Sequence, residues 1–163
     1  MVIDDFVAAT KGRYRQIVAI EPDTASRAQL TQKAARHSST EIRSEALSDR
    51  NGPVTFHEGL GYASQISPTG QLKIAARTLD SLSLTPTFIK FHLEGGELAA
   101  LKGTRETMLA SRPMIAATVY HNDDGIWHTP RWLMETLPDY RFLFRTHAWC
   151  GNGAVIYAIP RER

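Results

Sequence analysis

An α/β domain with a mostly parallel sheet and an antiparallel edge is the fold class this sequence predicts, on three observations. Short apolar runs alternate with helical stretches, as strands and helices do in layered domains. The runs are brief and end in Pro, Gly, Asn or Asp, the pattern of buried parallel strands stopped by turns. The last two runs are joined by the short segment 146–153, which lets them pair antiparallel at one edge.

Ile3, Phe6 and Val7 share a helical face, and Gly12 can close that helix. Residues 16–20, QIVAI, read as a strand ended by Glu21-Pro22-Asp23, and Asp23 or Thr24 can cap a helix reaching about His37. A second strand covers residues 41–47, followed by the turn-rich Ser48-Asp49-Arg50-Asn51-Gly52. Residues 54–57 and 73–77 bracket a long loop at 59–70 and predict an antiparallel excursion. TFIKF at 87–91 is the next strand, a helix follows over 96–109, and PMIAATVY at 113–120 is a strand again. A helix over 130–137 precedes strands at 141–145 and 154–159.

Composition bounds the function. The chain has 163 residues, enough for one domain, with 42% apolar and 22% charged residues, which excludes a disordered or fibrous class. The net charge is +2, from 19 Lys+Arg against 17 Asp+Glu, and the cations are dispersed, so no nucleic-acid partner is expected. Cys150 is the single cysteine, which rules out an intrachain disulfide or a thiolate zinc cage, has no histidine at fixed spacing to make it a nucleophile, and fits a reducing, cytoplasmic setting. No apolar stretch is long enough for a membrane helix, and Asp4 and Asp5 do not suit a signal peptide, so no membrane partner is expected.

In open parallel sheets ligands sit beyond the carboxyl ends of the strands. The candidate residues are therefore Glu21, the 46–49 segment, the 92–97 segment and the 120–124 segment. Glu21 can accept hydrogen bonds from a ribose diol, or serve as a helix-entry carboxylate. His92, Glu94 and Glu97 flank Gly95-Gly96, where a base or positioning group belongs, although acids are also common where a helix starts. His121 lies on the same rim, and imidazole is a side chain usable as a base at neutral pH. His121, His128 and His147 with the Asp123-Asp124 pair match no metal-ligand spacing, so no metal site is assigned. Trp127, Trp132 and Trp149, with Tyr140, Phe142 and Phe144, are expected to pack the core around the last strands rather than wall a cleft.

VAIEPD at 18–23, ALSDRNG at 46–52, RTLDSL at 77–82, FIKFHLEGGELAALKG at 88–103, ATVYHNDDGIWHTPRWL at 117–133 and the closing stretch 140–160 occur in this order. Together they resemble the FkbM-type methyltransferase family over nearly the whole chain. The resemblance implies a Rossmann-like methyltransferase fold that uses S-adenosylmethionine, mostly to methylate hydroxyl oxygens of small molecules or sugars. It implies that Glu21 holds the cofactor ribose, that Ala46 and Leu47 flank the adenine, and that residues 92–97 line the space by the reacting methyl. His92 and His121 are then the candidate bases and Glu94 the orienting carboxylate. In the family a glycine-rich strand and turn precede the helix that begins here near Ile3, so the domain is expected to lack its first strand. That strand would lie between those ending at Ile20 and Phe91. A start site set too late, collapse of the two neighbours onto each other, or a partner chain in the gap would each answer for it. His92 stands where the family usually has aspartate. A remnant without catalysis, or a ligand-binding module of the same fold, is the alternative function.

Overall fold

The computed structural model describes residues 2–149 and 153–163. Helix α1 (Val2–Ala9) leads into strand β1 (Ile17–Ile20), helix α2 (Thr24–Ala34) and strand β2 (Thr40–Arg43). Strands β3 (Ala46–Leu47), β4 (Gly52–His57), β5 (Gln65–Ile66) and β6 (Leu72–Arg77) follow, with short 3-10 turns at Gly61–Ala63 and Leu79–Leu82. Then come β7 (Phe88–Phe91), α3 (Glu97–Lys102), α4 (Arg105–Ser111), β8 (Met114–Thr118), α5 (Gly125–Thr136), β9 (Tyr140–Thr146) and β10 (Ala154–Pro160). No described helix is long and apolar enough to cross a membrane.

The expected α/β alternation is present, but a mostly parallel sheet is not. The described strands form three sheets: β1-β2, β7-β8-β10-β9 and β3-β6-β4-β5. The parallel pairs are β1/β2, β3/β6 and β7/β8, while β4/β5, β4/β6, β8/β10 and β9/β10 are antiparallel. The excursion and the closing hairpin account for this, because strands joined by short connections return alongside themselves in the opposite sense. The antiparallel edge falls where expected, with β9 outermost. The predicted strand over 41–47 is divided at Ser44-Glu45, β2 pairing with β1 and β3 with β6.

Strands β1 and β7 do not pair; each ends its own sheet. Collapse of these two strands onto each other is therefore not what occurs. Helix α1 reaches β7 instead, with the Phe6 and Phe88 rings stacked 5.9 Å apart. Every residue of β1 and β2 is only partly buried.

The core lies under the β7-β8-β10 sheet. Ile89, Phe91, Ile115, Ala117, Ile156 and Ala158 are buried against Leu101, Met108 and Leu133 of the helices. Alternation explains the selection, since one face of β7 holds Ile89 and Phe91 and leaves Phe88 and Lys90 outside. Fully burying each large apolar side chain stabilises the fold by roughly 1.5–3 kcal/mol. The aromatic expectation fails for two tryptophans: Trp127 is 74% and Trp149 is 91% exposed. Trp127 projects from the outer side of an amphipathic α5, and Trp149 lies in the hairpin connection rather than on a core-facing strand. Trp132 and Phe142 do pack against the core, whereas Phe144 is 45% exposed although β9, the edge strand, pairs with β10 along its whole length. Cys150 lies outside the described residues.

Two helix boundaries depart from the pattern. The helix predicted over 96–109 is two helices, α3 and α4, broken at Gly103-Thr104. A Cβ on Gly103 would meet the Ser48 carbonyl oxygen at 2.0 Å, so only glycine lets the α3 end close on the end of β3. The buried Thr104 hydroxyl donates to the Ala100 carbonyl at 2.6 Å, and the Asp80 carboxylate accepts from the Thr107 and Glu106 amides to cap α4. Helix α5 begins at Gly125 rather than 130, with Pro130 inside it. Burial of Leu133 and Leu137 and the packing of Trp132 against the core offset the proline's lost donor there.

Asp23 caps α2 as expected and does more. Its Oδ1 accepts from the Ser26 amide at 2.8 Å, and its Oδ2 accepts from the Gly59 amide and the Ser64 hydroxyl, each at 2.8 Å. This buried carboxylate thus ties the 59–64 loop to the α2 N-terminus. Burial raises its pKa, but the Gly59, Ser26 and Ser64 hydrogen bonds outweigh burial and bring it down to about 2. A depressed carboxylate contributes stability that is present above the unfolded pKa, about 4, and is lost as the pH falls through the folded value. Acid unfolding should therefore be steeper between pH 4 and 2 for the native chain than for Asp23→Asn, as read by circular dichroism.

Candidate functional site

The loop after β7 turns back sharply before α3. Glu94 and Gly95 both have positive φ, +50° and +101°, and a Cβ on Gly95 would meet Asn122 Oδ1 at 2.6 Å. The positive φ favours glycine there, and a Cβ would push the Asn122 amide aside. Asn122 Nδ2 donates to the Gly95 carbonyl at 2.9 Å, joining this loop to the one after β8.

The turn wraps the Glu97 carboxylate, which is 3% exposed. Its Oε1 accepts from the Leu93 amide at 2.9 Å, the Thr118 hydroxyl at 2.6 Å and His121 Nδ1 at 2.6 Å. Its Oε2 accepts from the Gly95 amide at 3.0 Å. Burial alone would raise this carboxyl; the Thr118 and Leu93 hydrogen bonds and the His121 ring outweigh it, and the pKa lies below the ordinary range. Glu97 is therefore an anion that holds two loops and one histidine. An ionised carboxylate only accepts, so the Nδ1 of His121 carries the hydrogen and Nε2 is left to act.

His121 Nε2 lies 3.3 Å from Glu94 Oε1, and His92 Nε2 lies 3.0 Å from that same oxygen. The His92 and His121 ring centroids are 5.0 Å apart, and Tyr120 packs on His121 at 4.1 Å. Lys90 Nζ approaches His92 Nδ1 at 3.4 Å. Desolvation, then the charge of Lys90, lower the His92 pKa against the attraction of Glu94, so the ring is neutral at pH 7. The three residues expected at the reacting end, His92, Glu94 and His121, thus converge, with His121 largely buried and His92 open to solvent. Glu97 has a larger part than its place at a helix start suggests; the signal was its four-residue spacing from Leu93, which lets an acid reach back to amides before the helix.

Glu21 follows β1, with Oε1 accepting from the Asp23 amide at 2.9 Å. Nothing else among the described residues bonds that carboxylate. Desolvation raises its pKa, opposed by the Asp23 amide. The adjacent Pro22 lines a cleft of about 700 Å³ together with Arg27, Arg43, Arg77 and Leu82. Arg27 fixes the turn by donating to the Glu21 and Pro22 carbonyls at 3.0 and 2.7 Å. Ala46 and Leu47 are buried at 3% and 8% exposure, Leu47 within the core. His128 and His147 do not join the cluster: His128 pairs with Asp124 at 3.2 Å, and His147 with the Tyr157 hydroxyl at 2.9 Å.

No family model matches the sequence, and no curated protein matches it. Among solved structures, the methyltransferase FkbM from Methylobacillus flagellatus KT superposes with a TM-score of 0.81 over 96% of this chain, at 23% identity. The chain spans 40% of the length of that protein. The resemblance read from the ordered motifs is thereby matched in three dimensions, and what the chain shares with the Methylobacillus methyltransferase is its fold.

Proposed function

We propose that this domain is an S-adenosylmethionine-dependent methyltransferase of Rossmann-like fold that methylates a hydroxyl oxygen of a small molecule or sugar. The observation that supports this most is the likeness of fold to a methyltransferase across 96% of the chain. The residues present suit the nucleoside half of such a cofactor. Glu21 stands at a strand end beside an open cleft, with one carboxylate oxygen left for a ribose diol. Ala46 and Leu47 are assigned to the adenine by the resemblance alone, since both are buried and neither lines that cleft.

The cofactor supplies an electrophilic methyl group when bound. The chain's part is to place the acceptor hydroxyl and receive its proton. His121 is the base: Glu97 fixes its Nδ1–H, orients the ring and stabilises the imidazolium that forms, leaving the Nε2 lone pair toward the acceptor. Glu94 and His92, on the open side of that ring, orient the hydroxyl. Work in a reducing, cytoplasmic setting accords with the cysteine content.

Calorimetry with S-adenosylmethionine should show saturable binding that Glu21→Ala abolishes. His121→Ala should leave that binding in place while lowering the methylation rate by about 10²–10⁴-fold. Absence of binding to the native chain at millimolar cofactor would instead establish the non-catalytic remnant, and unchanged affinity in Glu21→Ala would remove that residue from the ribose.

A further inference from the structure

His92, Glu94 and His121 each offer one ligand atom, and these atoms lie within 4.8 Å of one another. Both imidazoles aim Nε2 at Glu94 Oε1, at 3.0 and 3.3 Å. Tetrahedral coordination with bonds of about 2.0–2.1 Å sets neighbouring ligand atoms roughly 3.3 Å apart, so two of the three separations need little adjustment. Two nitrogens and one carboxylate oxygen are a donor set that zinc enzymes and non-haem iron proteins use with open positions.

The surroundings supply a second, independent observation. A metal-ligating histidine usually donates its other ring N–H to a carboxylate, which fixes the tautomer and makes the ligating nitrogen more basic. His121 has this arrangement, its Nδ1 2.6 Å from the buried Glu97 carboxylate. Its Nε2 is then a lone pair facing Glu94 oxygen, two acceptors that gain nothing from each other but both favour a cation between them. The 3.3 Å approach is close without meeting hydrogen-bond geometry, as that account requires. The three ligands come from the loops after β7 and β8, which Asn122 and Glu97 hold in register, so the set is prearranged rather than dependent on mobile side chains.

We propose that His92, Glu94 and His121 bind one divalent transition-metal ion, zinc foremost, with the remaining coordination positions toward solvent. Imidazole donors disfavour magnesium and calcium, which take oxygen ligands. Lys90 opposes the ion. It donates to His92 Nδ1, which keeps the ring proton on Nε2; a metal at Nε2 moves that proton to Nδ1, and the ammonium must turn away. If the proposed function holds, the ion takes over the task given there to His121 Nε2, holding and acidifying the acceptor hydroxyl, but the binding itself does not rest on that reading.

The test is calorimetric titration of the chelator-treated chain with zinc chloride, and with cobalt(II) followed by visible absorption, without S-adenosylmethionine. One equivalent should bind at micromolar or tighter affinity, and cobalt should give the intense bands of a four- or five-coordinate site. His92→Ala and Glu94→Gln, at partly exposed positions, should each weaken binding at least tenfold with an unchanged far-ultraviolet spectrum, and Lys90→Met should tighten it. No saturable binding, or binding that survives in both His92→Ala and Glu94→Gln, would overturn the site. Cofactor titration of the same variants separates the two proposals, because loss of metal with retained S-adenosylmethionine affinity bears only on the metal site.

Discussion

Glu97→Ala is expected to cost about 3–5 kcal/mol of folding stability, the loss seen when a buried, paired charge is removed and its donors are left unsatisfied. The Leu93 and Gly95 amides, the Thr118 hydroxyl and His121 Nδ1 all lose their acceptor at once. That is a large share of the ~5–15 kcal/mol typical of a domain, and urea unfolding should register it as a lower midpoint. Glu97→Gln keeps an acceptor oxygen and should lose clearly less. The acid limb gives an independent check. Because the folded pKa of Glu97 is depressed, its contribution is present above the ordinary carboxylate range and lost as the pH falls through the folded value. The stability of Glu97→Ala should therefore fall less on acidification than that of the native chain.

The second large effect is steric. Gly103→Ala is expected to destabilise by about 2–4 kcal/mol, since overpacking against backbone cannot be relieved by a rotamer change. The added Cβ would lie 2.0 Å from the Ser48 carbonyl oxygen, 3.0 Å from its carbon and 3.2 Å from Asp49 Cα. The negative φ of −75° at Gly103, with ψ at 3°, is open to alanine, so conformational preference would predict a gain. Thermal unfolding decides between the two: a lower Tm means the contact with β3 wins, and a higher one means the segment relaxes freely.

These positions also show what the sequence discloses and what it withholds. The alternation of strands and helices is visible because apolar periodicity is local, and Asp23 reads as a cap for the same reason. Division into three sheets is not visible, because Ala46 pairs with Ala76 and Ile17 with Thr40, choices made by distant parts of the chain. The break at Gly103 is hidden because the apolar spacing from Leu98 to Met108 runs across it, and its cause is the backbone of Ser48. At the site, His92, Glu94 and His121 were legible from one rule, that strand ends point toward ligands. Their convergence on a single carboxylate oxygen was not, since it needs the positive-φ turn at Glu94-Gly95 and the Glu97 anchor. The outward Trp127 misleads because aromatic content alone does not say which side of α5 faces inward, and Trp149 because it lies in a connection rather than on a strand.

The partly buried β1-β2 pair and the buried β7-β8-β10 core place the two ends of the proposed site on ground of unequal firmness. Elements with less buried apolar surface open at lower free energy than the core, so Glu21 follows the strand that opens more readily, while the histidines follow strands rooted in the core. A nucleoside gripped by Glu21 would then spend part of its interaction energy quieting the strand that carries it. Affinity at that end would be tempered by ordering, whereas an ion held by the histidines would meet a cradle already set.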